Sequence, residues 1–270
     1  MDEIEDQDQD EQQARIALGD ALTHVAQWEA AVLSRETGRW RPEPGSPLVG
    51  DDRVCDPYHL SHAALRYIAQ AADHVRCLRD VLTRPAEPVL PIWAGYSLLR
   101  PALENASTAI WILGPARRDE RVTRWMQCVL DNAKHADRVA ALNGNTQNPR
   151  LPRVRDRLEG LLTAAGITDS RLAFARLPMW EDRVSEAAEI GGFTERNRPV
   201  VTWKMCSAVA HGDLWGILSG VDLEDLGREG NVRHTHMTVN TPTLAGATQA
   251  TVAMVDAAVR LFRLRGQAPR

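Results

Sequence analysis

The stretch VLPIWAGYSLLRPALENASTAIWIL, residues 89–113, decides the fold class. It is the most apolar segment of the chain, yet it carries Arg100 and Glu104. It is too short and too polar at those two positions for a membrane helix, so it predicts a buried central helix. Pro101 lacks an amide hydrogen and predicts a kink or a split there. Arg100, Glu104, Thr108 and Trp111 are spaced four, four and three apart, which places them on one helical face.

The segments on either side read as amphipathic helices. Ile16, Leu18, Leu22, Val25, Ala26, Trp28, Val32 and Leu33 form a helical stripe from about Glu11. The acidic, Gln-rich residues 1–10 ahead of it read as a disordered tail. Residues 37–56, with three Pro and three Gly, read as a loop. Asp56-Pro57 then reads as a helix start, for a helix running to about Thr83 and ended by Pro85 and Pro88. After Gly114-Pro115, helices are expected over about 116–142, 151–165 and 199–219, with a short helix or irregular piece over 170–190. VRHTHMTV, residues 232–239, alternates as a short strand or hairpin would, and Thr241-Pro242 opens a last helix to about Leu264. Short connections between long helices predict an all-α, antiparallel helical bundle, with at most one strand or hairpin near 232–240 and a single domain over 11–270.

Composition narrows the class of function. The hydrophobic fraction is 44%, enough for a large core, and the net charge of −4 exerts no overall pull toward nucleic acid or acidic lipid. Eight Trp against three Tyr and three Phe point to a Trp-pinned core in which each indole N–H needs a partner. Cys55, Cys77, Cys128 and Cys206 form no C-x-x-C pair and read as reduced thiols. The start MDEIEDQDQDE is no apolar leader and no membrane span is expected, so the expected location is cytoplasmic.

Two constellations carry candidate chemistry. Arg100 and Glu104 sit among Leu98, Leu99, Leu103 and Ala106, so they predict a buried ion pair needing further partners. In WKMCSAVAHGD, residues 203–213, Ser207 and His211 share a helical face and Gly212 permits a local break. Histidine as a residue type suits proton transfer near neutral pH, which marks His211 as a candidate; Ser207 is placed to orient it. Nothing around Ser207 has the strand-turn form of a hydrolase nucleophile.

An R-x-x-x-E helix followed far downstream by a helix carrying S-x-x-x-H-G resembles uncharacterised bacterial helical proteins related to the HEPN superfamily. The matching residues are Arg100, Glu104, Ser207, His211 and Gly212, and the resemblance covers about residues 57–219. It implies a helical fold and, as in toxins and defence ribonucleases of that superfamily, metal-independent RNA cleavage at a dimer interface. Those enzymes place an Arg or similar polar residue four to six residues before the His. Here the nearest upstream cations are Lys204 and Arg198.

Residues 117–176 hold twelve basic side chains against seven acidic ones, a stretch that could track phosphates. No aromatic interleaving accompanies it. His59/His62 and Asp131/His135 are each two ligands at helical spacing, but no H-E-x-x-H, di-iron pattern or Gly-rich phosphate loop occurs, so neither metal nor cofactor is expected. The leading expectation is a helical interaction or regulatory protein, homodimeric, with a buried Arg100/Glu104/His211 centre able to hold a small ligand. The alternatives are a ribonuclease using His211 on RNA, and a nucleic-acid binder using residues 117–176.

Overall fold

The computed structural model describes residues 2–28, 40–83, 90–167, 171–195 and 197–269. The first helices are α1 (Asp2–Trp28), α2 (Pro47–Cys55), α3 (Leu60–Leu82), α4 (Ala94–Leu113) and α5 (Arg118–Leu142). They are followed by α6 (Arg150–Ala164), a 3-10 turn (Leu172–Phe174), α7 (Trp180–Ile190), α8 (Asn197–His211) and α9 (Leu214–Ser219). A hairpin of β1 (Val221–Glu229) and β2 (Val232–Val239) leads into α10 (Thr241–Gly266). The protein is thus mostly helical, with one antiparallel hairpin near the C-terminus.

Helix α4, from the most apolar stretch of the chain, forms the axis of the fold. α4 packs against α3, α7, α8 and α10. Its whole second half, Ala106–Leu113, is buried. Each apolar side chain sealed in this way contributes roughly 1.5–3 kcal/mol relative to exposure. The expected break at Pro101 does not occur: α4 runs through it. The missing amide leaves the Ser97 carbonyl without its helical partner, but Ser97 is exposed to water. Burial of the turns on either side holds the helix together. α10 begins where Thr241-Pro242 predicts, with the Asn240 side chain accepting a bond from Thr243 N at 2.9 Å.

Four local expectations need correction. Residues 37–56 are not a loop throughout, because Ser46 caps α2 through Val49 N and Pro47 occupies its first turn. Asp56-Pro57 does not start a helix: Asp56 ends α2, the bond to Pro57 is cis, and α3 begins at Leu60. Residues 2–10, expected as a tail, lie in α1. The helix expected over 199–219 is divided at Gly212, whose φ is +78°. Val32, Leu33, Pro85 and Pro88 lie outside the described residues.

Four of the eight indoles bond to partners among the described residues, as their chemistry favours. Trp28 donates to Asp256, Trp111 to Glu186, Trp125 to the Tyr58 carbonyl and Trp203 to Glu104. Trp40 is buried with its N–H unpaired and its ring against Phe262. The four cysteines are free. Among the described residues no helix is long and apolar enough to cross a membrane.

One charged contact joins distant parts of the chain. Asp51 of α2 and Arg121 of α5 are both buried and meet through two bonds, Nε to Oδ2 at 2.7 Å and Nη2 to Oδ1 at 2.9 Å. Arg121 Nη1 also donates to the carbonyls of Pro115 and Ala116, in the turn between α4 and α5. From α10, Arg265 donates to Leu113, Gly114 and Pro115 in the same turn. Arg121→Ala strands the Asp51 carboxylate in the core and is expected to cost about 3–5 kcal/mol in equilibrium urea unfolding. The double change Asp51→Leu with Arg121→Met removes both charges and is expected to recover most of that loss.

Candidate functional site

The polar face of α4 meets the end of α8. Arg100 donates through Nε to Glu104 Oε1 at 3.1 Å, and Trp203 of α8 donates its indole N–H to the same oxygen at 2.9 Å. Arg100 Nη1 lies 2.9 Å from His211 Nε2. A guanidinium can only donate, so His211 Nε2 accepts; its ring is neutral, with the proton on Nδ1. Protonating that ring would turn Nε2 into a donor and break the contact. The third guanidinium nitrogen, Nη2, makes no bond to another described residue.

The backbone explains why His211 stands at this point. Gly212 in the left-handed region ends α8, with Gly212 N bonded to Val209 O and Asp213 N to Ala208 O, a Schellman closure. His211 is therefore the last residue of α8, at the negative end of its dipole, where a guanidinium is favoured. Gly216 lets α9 fold back on α8: a Cβ there would stand 2.4 Å from Ala208 Cβ.

The sequence correctly brings Arg100, Glu104 and His211 together but misjudges their burial. The Arg100 and Glu104 side chains are 24% and 17% exposed and His211 is exposed, so the centre opens to the surface. Ser207 is half-buried and makes no hydrogen bond to His211; Arg100, not Ser207, holds the ring. Lys204 is paired with Glu181 at 2.9 Å on the surface. Thr108 returns its hydroxyl to the Glu104 carbonyl. Trp111, at the far end of the face, belongs to a second network: Glu186 accepts from Trp111 and from Arg124 Nη2, and Arg124 Nη1 donates to the Trp111 carbonyl.

Other candidates from the sequence are structurally committed. Arg121 is buried on Asp51, Arg117 is held by Asp119, Arg124 by Glu186, and Arg155 lies over Phe174. Four of the twelve basic side chains of 117–176 are therefore engaged within the fold. His59 bonds Asp56 and lies beside the His62 ring, and His135 pairs with Asp131. Among the described residues no three His, Cys, Asp or Glu side chains gather as a metal site would need.

The sequence reading missed Arg183. It is 7% exposed, its Nε has no partner, and its guanidinium stacks 3.7 Å from the Trp180 ring centroid. Burial draws this guanidinium below its ordinary pKa. Its neighbours Glu181, Asp182 and Glu186 make α7 look like a surface helix in sequence; the Trp180–Arg183 spacing is the signal that could have revealed the stack.

Chemically, the centre is a cation oriented by a carboxylate, beside an accessible neutral imidazole, with no nucleophile bonded to that imidazole. Glu104→Ala unpairs both Arg100 Nε and the Trp203 indole. It is expected to cost about 1.5–3 kcal/mol in urea unfolding and to shift Trp203 emission to longer wavelength, with Glu104→Gln costing less. Wild-type stability in Glu104→Ala would show that the carboxylate does not organise the centre. Comparison with family models, with curated proteins and with solved structures finds no match, so the geometry of the site carries the functional reading.

Proposed function

We propose that this chain is a helical binding protein of regulatory type, and that Arg100 and His211 take the acidic group of a small ligand. The observation that carries the reading is the state of Arg100. Its guanidinium is aimed by Glu104, contacts His211, and keeps Nη2 uncommitted at the edge of the bundle. A fork fixed before the ligand arrives loses little freedom on binding, and guanidinium geometry matches carboxylate and phosphate oxygens. The test is a titration of the protein with inorganic phosphate, following the His211 ring resonances by NMR. A saturable shift, absent in Arg100→Met, is expected. A response no larger than that to chloride would overturn the reading.

The second reading is metal-independent RNA cleavage, in line with the resemblance to HEPN-related proteins. It is favoured by the direct Arg100–His211 contact at an exposed position. Exposed Leu214, Trp215 and Leu218 follow immediately on α9, where a second copy of the chain would find apolar surface to cover. His211 would act as general acid or base, and Arg100 would stabilise charge on phosphate. Under this reading RNA is cut in EDTA, the cutting disappears in His211→Ala, and solution scattering gives a dimeric mass. RNA left intact by a folded dimer would rule it out.

A further inference from the structure

A cleft of about 900 Å³ opens between α5, α7 and the turn after α6. It is separate from the centre described above, since none of Arg100, Glu104, Trp203 and His211 lines it. Its size falls within the range of small-molecule sites. Two residues of its α5 wall stand out. Thr123 and Gln127 are 6% and 7% exposed, lie one turn apart on one helical face, and line the cleft. Their side chains bond to no other described residue.

Three other buried helical threonines behave differently, whereas Thr202 of α8, also 6% exposed, resembles Thr123. Thr108, Thr248 and Thr251 each return the hydroxyl to the carbonyl four residues back. Thr123 leaves its hydroxyl free. The unpartnered polar atoms sealed away from solvent belong to Trp40, Ser107 and Arg183, so those of Thr123 and Gln127 still reach the cleft. Both groups therefore face water in the cleft, and a second molecule that bonds them would take the place of that water.

The remaining groups describe what that molecule is like. Arg124 is neutralised by Glu186, and Arg117 by Asp119. Val54, Ile167, Leu172 and Pro178 form apolar walls, beside Trp111. Arg118 is the loosest cation: its side chain is 56% exposed and stands 3.5 Å from an Asp51 carboxylate already held by Arg121. The cleft therefore offers an amide and a hydroxyl with no partner among the described residues, apolar walls, and one loosely paired cation, with Glu120 beside Arg117 at its rim. A Gln amide places a donor and an acceptor side by side, matching the edge of a nucleobase.

We propose that this cleft binds a nucleoside monophosphate, with the base edge on Gln127 and Thr123 and the phosphate on Arg118. The experiment is calorimetric titration of the full chain with uridine monophosphate and adenosine monophosphate, with the two free nucleosides and inorganic phosphate as separate arms. At least one nucleotide is expected to bind. Gln127→Leu and Thr123→Val, both close in shape to the originals, are each expected to weaken it roughly tenfold, the worth of one neutral hydrogen bond. Arg118→Gln is expected to weaken the nucleotide but not its nucleoside. On the wild-type protein, the nucleotide should shift the Gln127 side-chain amide resonances in NMR, a readout independent of how the variants fold. Failure of both nucleotides to bind, binding unchanged in both Gln127→Leu and Thr123→Val, or shifts at His211 in place of Gln127 would overturn the proposal. Binding of inorganic phosphate alone would likewise reduce the cleft to an anion contact and overturn it.

Discussion

The Asp51–Arg121 pair is the constraint around which the helices are registered. Both charges are fully withdrawn from water, so neither is tolerable without the other. Meeting that need joins α2 to α5, and the spare donor of Arg121 closes the turn between α4 and α5. Arg265 adds α10 to the same turn from the opposite side. The four carbonyls of Leu113, Gly114, Pro115 and Ala116 thus become the place where four helices meet. A turn that would otherwise expose its backbone to water is locked by two guanidiniums.

With its end held there, α4 can serve as a buried axis that still presents polar groups at two places. Arg100 and Glu104 face α8, and Trp111 faces α5 and α7. In each network a carboxylate accepts from an indole and from an arginine. Glu104 collects Trp203 and Arg100; Glu186 collects Trp111 and Arg124. This arrangement satisfies large aromatic side chains and orients a cation with the same carboxylate. It explains how a Trp-rich chain keeps well-placed charges at the margins of its core. Charge-assisted bonds of this kind are stronger than neutral ones and more directional.

Much of the candidate site was legible from spacing. The intervals between Arg100, Glu104 and Trp111, and the Gly after His211, were enough to mark the two halves of the centre. The sequence did not show that Ser207 turns away from the histidine or that Trp203 completes the carboxylate's bonding. Those contacts depend on how α8 is rotated against α4, and helical periodicity carries no information on rotation between helices. Arg183, Thr123 and Gln127 were missed for a related reason. Each is a polar residue in a helix with many charges, where composition suggests a solvated face; packing of α7 on α4 and α8, and of α5 on α6, α2 and α4, is what buries them. The errors at Ser46-Pro47 and Asp56-Pro57 have another origin. Both pairs have the form of a helix start, and only the surrounding chain determined that the first one acts as such.

The sequence by itself determined the helical class, the start of α10, the central place of residues 94–113, and the need of the indoles for partners. All of these follow from local periodicity, from capping chemistry and from the cost of burying polar groups. Only the tertiary structure decided that the Arg100–His211 contact stands open at the surface, and that a cleft runs beside Thr123 and Gln127. Exposure depends on what the neighbouring helices cover, and that is settled by the close fit of whole faces rather than by any single segment.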